Sequence, residues 1–273
     1  MKRVLARSKN PFKETARNFL SISNFRVRQN KTAGTELDNY LIDIGNVFAD
    51  TTLLDAQYTF RQDFYFFRNN KVGDIRFGYV NNQSKAFLDS GTETRSLESY
   101  GTDQRLNIGK SKSLENEFEI GNKSSTAQFF TNRNFDIDYI EVEPRLNFQV
   151  NRKVRLTAGY SYKHKVNTAD STGLQDLTVN LQKLTFDAQL NLKNRNNIFA
   201  KLGLLRIGQE GTGNFAAEFE MRETLDPGFN AVWQIFTTIY PTKTLELSIT
   251  YDGRASAENR TLHTGRVSLK AFF

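Results

Sequence analysis

The alternation of apolar and polar residues is the main feature of this chain, and it is clearest at the C-terminal end. Apolar and polar residues take turns from Thr261 to the last residue. One side carries Gly265, Val267, Leu269, Ala271 and Phe273, and the other carries Thr264, Arg266, Ser268, Lys270 and Phe272. A period of two predicts a β-strand with one apolar face and one polar face. The chain is therefore predicted to end in an amphipathic strand.

The same pattern recurs upstream as a series of hairpins separated by turn residues such as Asn151-Arg152 and Asp226-Pro227-Gly228. It is weakest between Thr92 and Thr131, where polar residues and glycines interrupt it. The pattern predicts about fourteen strands, an even number as in single-chain bacterial β-barrels. They are Phe19–Arg28, Leu37–Phe48, Leu54–Phe66, Ile75–Leu88, Arg95–Ile108, Leu114–Phe130, Ile140–Val150, Val154–Tyr162, Leu177–Leu192, Asn197–Gly208, Phe215–Arg222, Phe229–Tyr240, Leu245–Tyr251 and Thr261–Phe273.

These strands predict an all-β fold, an antiparallel transmembrane β-barrel of about 14 strands. No strand alternates with a helical pattern, which excludes α/β folds. The mean hydropathy of −0.56 is compatible with a barrel, because only alternate residues of each strand face lipid. The residues predicted to point outward are Leu156, Ala158, Tyr160, Phe186, Ala188, Trp233, Ile235, Val267 and Leu269. Those predicted to point inward are Arg155, Glu141, Glu143, Arg145, Gln189 and Glu246.

The C-terminal stretch Thr261–Phe273 resembles the terminal strand of bacterial outer-membrane β-barrels, which end on an aromatic residue with apolar residues at alternate positions before it. The stretch YDGRASAENRTLHTG also resembles the closing hairpin of large outer-membrane proteins of the Bacteroidota. The resemblance implies a place in the cell outer membrane, with lipid as a partner and the barrel assembly machinery recognising Thr261–Phe273. It also implies a periplasmic C-terminus and an external turn at Arg254–Asn259.

The N-terminus is strongly basic, with six Lys and Arg residues before position 18 against one acidic residue, Glu14. No apolar core follows, so this segment is not a signal peptide. Residues 1–15 are predicted to lie outside a barrel formed by residues 16–273. The chain is then either a mature product or the C-terminal part of a longer protein. The net charge of +7 does not indicate a nucleic-acid partner, because the charges alternate along strands instead of clustering.

Candidate chemistry is sparse. There is no cysteine, and the two histidines, His164 and His263, are about a hundred residues apart. Near His263 are Asp252, Ser256 and Glu258, but no spacing motif joins them into a catalytic set. Glu115, Glu117 and Glu119 point the same way along a strand and do not converge on a cation, and Gly101, Gly211 and Gly213 form no phosphate-binding loop. We expect no catalytic, cofactor-binding or metal-binding residues and no cofactor.

All connections between the predicted strands are short, unlike the external loops of porins. The first functional hypothesis is therefore a structural or accessory component of an outer-membrane complex for transport or assembly, in contact with other outer-membrane subunits. The second is a passive, porin-like channel for small solutes, selective through its charged inner face. The third is an outer-membrane hydrolase acting at the barrel rim. The sequence does not decide between the first two.

Overall fold

The fold is a single antiparallel sheet in which each strand pairs with its neighbours in the chain. The computed structural model describes residues 19–31, 48, 53–68, 70–88, 91–168, 176–192, 195–256 and 260–272. Twelve strands follow one another in sequence order. They are β1 (Leu20–Lys31), β2 (Leu53–Phe66), β3 (Gly73–Leu88), β4 (Gly91–Ile108), β5 (Lys112–Ala127), β6 (Phe135–Gln149), β7 (Val154–Asn167), β8 (Leu177–Asn191), β9 (Asn197–Glu210), β10 (Gly228–Thr242), β11 (Leu245–Ser256) and β12 (Leu262–Ala271).

The all-β antiparallel architecture is confirmed, whereas the strand count differs from the fourteen predicted. The predicted strand Phe215–Arg222 is wrong, because this segment contains a helix, α1 (Phe215–Met221). The predicted strand Leu37–Phe48 lies outside the described residues except for Phe48, as does the predicted basic segment 1–15. The described part of the chain therefore contains twelve strands.

Helix α1 forms because its sequence supplies a side-chain cap for the first turn and apolar residues for one buried face. The side chain of Asn214 accepts a hydrogen bond from the Ala217 backbone N–H at 2.8 Å, which caps the helix. Ala217 and Met221 are four residues apart and so share a helix face, and both are fully buried. The same residues also alternate with Ala216, Glu218 and Glu220, which is why the sequence pattern predicts a strand there.

The two ends of the sheet differ in the length of their connections. The end where β12 finishes, here the short-turn rim, has connections over 67–72, 109–111, 150–153, 192–196 and 243–244. The opposite end, here the long-connection rim, has connections over 32–52, 89–90, 128–134, 168–176, 211–227 and 257–261. The prediction that all connections are short is therefore wrong for 211–227. Arg254, predicted to begin a turn, still pairs with Leu262 in the β11–β12 ladder.

The predicted assignment of side chains to two faces is confirmed by the strand registers. Leu156 lies opposite Ala188, and Ala158 lies opposite Phe186, whereas Arg155 lies opposite Gln189 on the other face. We call these the apolar face and the polar face. Large side chains of the apolar face are exposed, among them Leu146, Leu156, Leu184, Phe186, Leu202, Ile235, Val267 and Leu269. The buried polar residues lie on the polar face: Asp63, Ser99, Ser125, Asn147, Ser161, Asn167, Asn230 and Thr238.

The sheet has two edges in the described part of the chain. The backbone ladder of β1 pairs only with β2, and that of β12 pairs only with β11. All ten residues of β12 are exposed, which is the consequence of having no strand on its outer side. Among the helices described, none is long and apolar enough to cross a membrane.

Candidate functional site

The polar face carries a network of ion pairs along its middle strands. Glu141 and Lys163 are 3.2 Å apart, and Arg145 donates to Glu143 at 2.6 Å. Arg145 also reaches Glu117, at 3.3 Å, on the neighbouring strand β5. Glutamates lie directly opposite each other in the β5–β6 register, Glu117 with Glu143 and Glu119 with Glu141. Arg145 and Lys163 offset the repulsion between them.

Helix α1 folds back over the polar face and covers an apolar patch at its long-connection end. The patch and the helix together form the main buried cluster of the described chain, whose members are Phe135, Ile137, Leu177, Val179, Leu181, Ile207, Ala217 and Met221. A seven-residue helix is too short to be stable by itself, so this packing holds it in place.

Ion pairs anchor both the helix and the residues that follow it. The carboxylate of Glu223 lies 2.8 Å from the Lys163 ammonium and 3.3 Å from that of Lys165. Lys165 also donates to the backbone carbonyl of Met221 at 3.1 Å, and Lys123 pairs with Glu220. Burial alone would raise the pKa of Glu223, but its bonds to Lys163 and the charges of both lysines outweigh burial and lower that pKa.

The backbone reverses immediately after α1 to return to β10. Glu223 and Thr224 both adopt the left-handed conformation, with φ of 56° and 68°. This conformation costs a residue other than glycine roughly 1 kcal/mol. The ion pairs of Glu223 therefore hold the chain in a turn that its backbone does not favour.

A cleft of about 430 Å³ opens on the polar face between α1 and the short-turn rim. Its lining is rich in charged and amide side chains: Glu115, Glu143, Arg145, Asn147, Arg155, Thr157, Lys183, Thr185, Asp187, Gln189, Phe199 and Lys201. Two glycines create space between these side chains. A Cβ on Gly159 would lie 2.7 Å from the Thr185 hydroxyl, and one on Gly203 would lie 2.9 Å from a Val232 methyl and 3.5 Å from Lys183 Cε.

The candidate catalytic residues do not lie close to one another in the structure. Both histidines lie on the apolar face, where His164 hydrogen-bonds Asn180 at 2.8 Å and His263 meets the Tyr251 hydroxyl at 2.8 Å. Asp252 lies on the opposite face from His263 and accepts from Gln234. Ser256 donates to Asp226, and Glu258 lies outside the described residues.

The glutamates of β5 lie side by side as predicted, each with a different neighbour. Glu117 pairs with Arg145, and Glu119 accepts a hydrogen bond from the Tyr139 hydroxyl at 2.6 Å. No group of three or more potential metal ligands is found among the described residues. The cleft itself was missed from the sequence, because its residues come from five strands whose register was unknown.

Three solved structures are similar to this chain at low sequence identity. The β domain of the Bordetella autotransporter BrkA is 10% identical with a TM-score of 0.40, and the match covers 94% of this chain and 99% of that one. The transport unit of the autotransporter AIDA-I from Escherichia coli is 11% identical with a TM-score of 0.34, and the match covers 80% of this chain and 84% of that one. The translocator domain of the autotransporter NalP from Neisseria meningitidis is 13% identical with a TM-score of 0.36, and the match covers 80% of this chain and 81% of that one. No family model and no curated protein matches the sequence. The fold described above therefore rests on the chain's own strand registers.

Proposed function

We propose that this chain is a β-barrel of the bacterial outer membrane that serves as a structural or accessory component of a complex for transport or assembly. The observation that supports it best is that the apolar face is exposed and polar residues are buried, the reverse of a soluble protein. Large apolar side chains are exposed along the sheet, while polar residues such as Asn147, Ser161 and Asn230 are buried. A soluble protein rarely exposes an apolar surface of this extent, whereas lipid covers it in a membrane barrel. A Bacteroidota origin stays a prediction from the sequence.

The proposal requires that β12 pairs with β1, because unpaired backbone groups of a sheet edge cost several kcal/mol each in hydrocarbon. The two strands run in opposite directions, as an antiparallel pair must. Their faces also match. Phe25 and Val27 of β1 continue the apolar face of Val267, and Arg26 of β1 continues the polar face of Arg266. Closure makes the polar face the lining of a lumen.

Orientation in the membrane follows from the two rims. Bacterial barrels have short periplasmic turns and longer external loops. The short-turn rim would accordingly face the periplasm, and the connection 211–227 would face outward. Aromatic residues such as Trp233, Tyr251 and Tyr160 on the apolar face are the kind that sit at the membrane–water interface.

The contents of the lumen favour a structural component over a passive channel. Helix α1 and its anchoring residues occupy the polar face at the long-connection end. Ion pairs such as those of Arg145 fill the middle strands. A passive channel remains the second candidate, supported by the cleft beyond α1.

Disulfide mapping tests whether β12 pairs with β1. The chain contains no cysteine, so only the introduced cysteines can form cross-links. Val267→Cys is combined in turn with Cys at positions of β1 on the apolar face (Ser21, Ser23, Phe25, Val27) and on the polar face (Ile22, Asn24, Arg26). We expect intramolecular cross-links with one or two adjacent apolar-face positions and none with polar-face positions, because only side chains on one face of an antiparallel pair approach closely enough.

The readout is the shift of the oxidised, membrane-embedded protein on a non-reducing gel. Covalent dimers in place of internal cross-links would mean that β12 pairs with a second copy. An absence of cross-links throughout both series would overturn the closed barrel. Recovery of the chain in the soluble fraction of cells would overturn the outer-membrane location.

A further inference from the structure

We propose that the cleft on the polar face binds an oxyanion that also carries a hydroxyl proton, of the class of phosphate. The proposal rests on the barrel proposed above, which makes this face the lining of a lumen. In a purely structural component this surface would be in contact with water alone, whereas we assign it a ligand.

Three cations of the cleft form no direct ion pair within the described part of the chain, although the charge of Lys183 acts on Glu143 through space. Arg155, Lys183 and Lys201 make no ion pair or hydrogen bond within the described part of the chain, although all three line the same cleft. By contrast, Arg145 is held by Glu143 at 2.6 Å and also pairs with Glu117. The cleft therefore keeps one paired arginine and three cations that remain available for an anion.

The carboxylates that remain do not balance these cations. Four cations and three carboxylates line the cleft, an excess of one positive charge within the lining; Glu117, the second partner of Arg145, lies outside it. Lys183 extends over Gly203, where the missing side chain leaves space for its stem. An anion of one or two charges would neutralise this excess without displacing the ion pairs of Arg145.

Asp187 distinguishes between kinds of anion. Its Oδ1 atom is shielded from solvent and has no hydrogen-bond donor among the described residues. A buried acceptor of this kind requires a donor, and a carboxylate would repel a fully deprotonated anion. Inorganic phosphate at neutral pH carries both anionic oxygens for the cations and a hydroxyl that can donate to Asp187. Sulfate carries the oxygens but no such proton.

The test is isothermal titration of the full chain in detergent micelles with sodium phosphate and with sodium sulfate at equal ionic strength. We expect saturable phosphate binding at least about tenfold tighter than sulfate binding. Lys183→Gln and Lys201→Gln should each weaken phosphate binding about tenfold or more. Lys243→Gln makes the same change of charge in the exposed turn between β10 and β11 and should leave binding within about twofold.

Asp187→Asn gives the most specific readout, because an amide no longer repels a fully deprotonated oxyanion. It should bring the affinities for phosphate and sulfate together. Equal affinities in the unmodified protein would overturn the assignment, as would a complete lack of saturable binding. An equal loss of binding in Lys243→Gln would show attraction to the chain's net charge of +7 and no site. A failure of the barrel itself would appear separately, in the disulfide mapping.

Discussion

Glu223 ties the connection 211–227 to the sheet through two ion pairs. It holds two lysines of β7, and its backbone is in the left-handed conformation. Its lowered pKa means that the folded state favours the ionised carboxylate. The resulting stabilisation is present above the unfolded pKa of about 4.3 and is lost as pH falls through the folded value.

We predict that α1 loosens from the sheet in acid and that Glu223→Gln loosens it at neutral pH. A charged hydrogen bond to a partly exposed group contributes about 1 kcal/mol, so the change is a shift in population and not global unfolding. A spin label at Phe219→Cys, an exposed position of α1, reports mobility by electron paramagnetic resonance. Glu218→Gln is the control, because the described partners of the Glu218 carboxylate, Arg222 and the Gly213 backbone N–H, both belong to the same connection. Mobility that is equal in all three proteins and independent of pH would contradict this role of Glu223.

At the scale of elements, β12 is the strand with the fewest contacts and the clearest pattern. It is exposed along its whole length, yet its register with β11 is continuous from Arg254–Leu262 to Leu245–Ala271. Beyond it, Phe272 donates its backbone N–H to the carbonyl of Thr244 at 2.8 Å, which extends the pairing past the last strand residue. The terminal segment is thus ordered by β11 alone in the described chain.

We predict that Leu269→Asp abolishes membrane assembly, because a charge facing lipid near the midplane costs roughly 2–4 kcal/mol for Arg or Lys and somewhat less for Asp, falling toward the interface. Ser268→Asp is the matched control, since the adjacent residue lies on the polar face. Removal of Phe272 and Phe273 should act like Leu269→Asp, because it deletes the end of the strand that we expect the assembly machinery to recognise. Heat-modifiability on gels and membrane fractionation measure assembly. Normal insertion of Leu269→Asp would mean that this face does not meet lipid.

The sequence predicted the strands well, because a two-faced strand must repeat its pattern every second residue whatever its neighbours are. Leu156 and Arg155 could be assigned to opposite faces on this ground alone. Helix α1 was missed because the apolar residues among its seven positions fit both the period of two of a strand and the spacing of a helix face. The contacts that select the helix come from Ile137 and Leu177, far away in the chain. The cleft depends on Gly159 and Gly203 reaching the same level on strands β7 and β9, which only the register reveals.

For the whole molecule, the position of α1 predicts how the lumen of the proposed barrel conducts ions. We expect the unmodified protein to show little or no conductance in a planar bilayer, because α1 lies over the polar face. Met221→Asp would put a charge into the main buried cluster, release α1 and produce larger conductance steps. Phe219→Asp is the control, since this exposed residue of the same helix is not part of the cluster. High conductance of the unmodified protein would favour the passive channel.

The pairing of every strand with its neighbours in the chain has a consequence for how such a protein changes over evolutionary time. A whole hairpin can be gained or lost between two existing strands, and every register except that between the two flanking strands stays as it was, because no other pairing spans the inserted unit. The width of the sheet is therefore adjustable in steps of two strands. Relatives with ten or fourteen strands would be separated from this chain by one duplication or deletion, with the terminal strands retained unchanged.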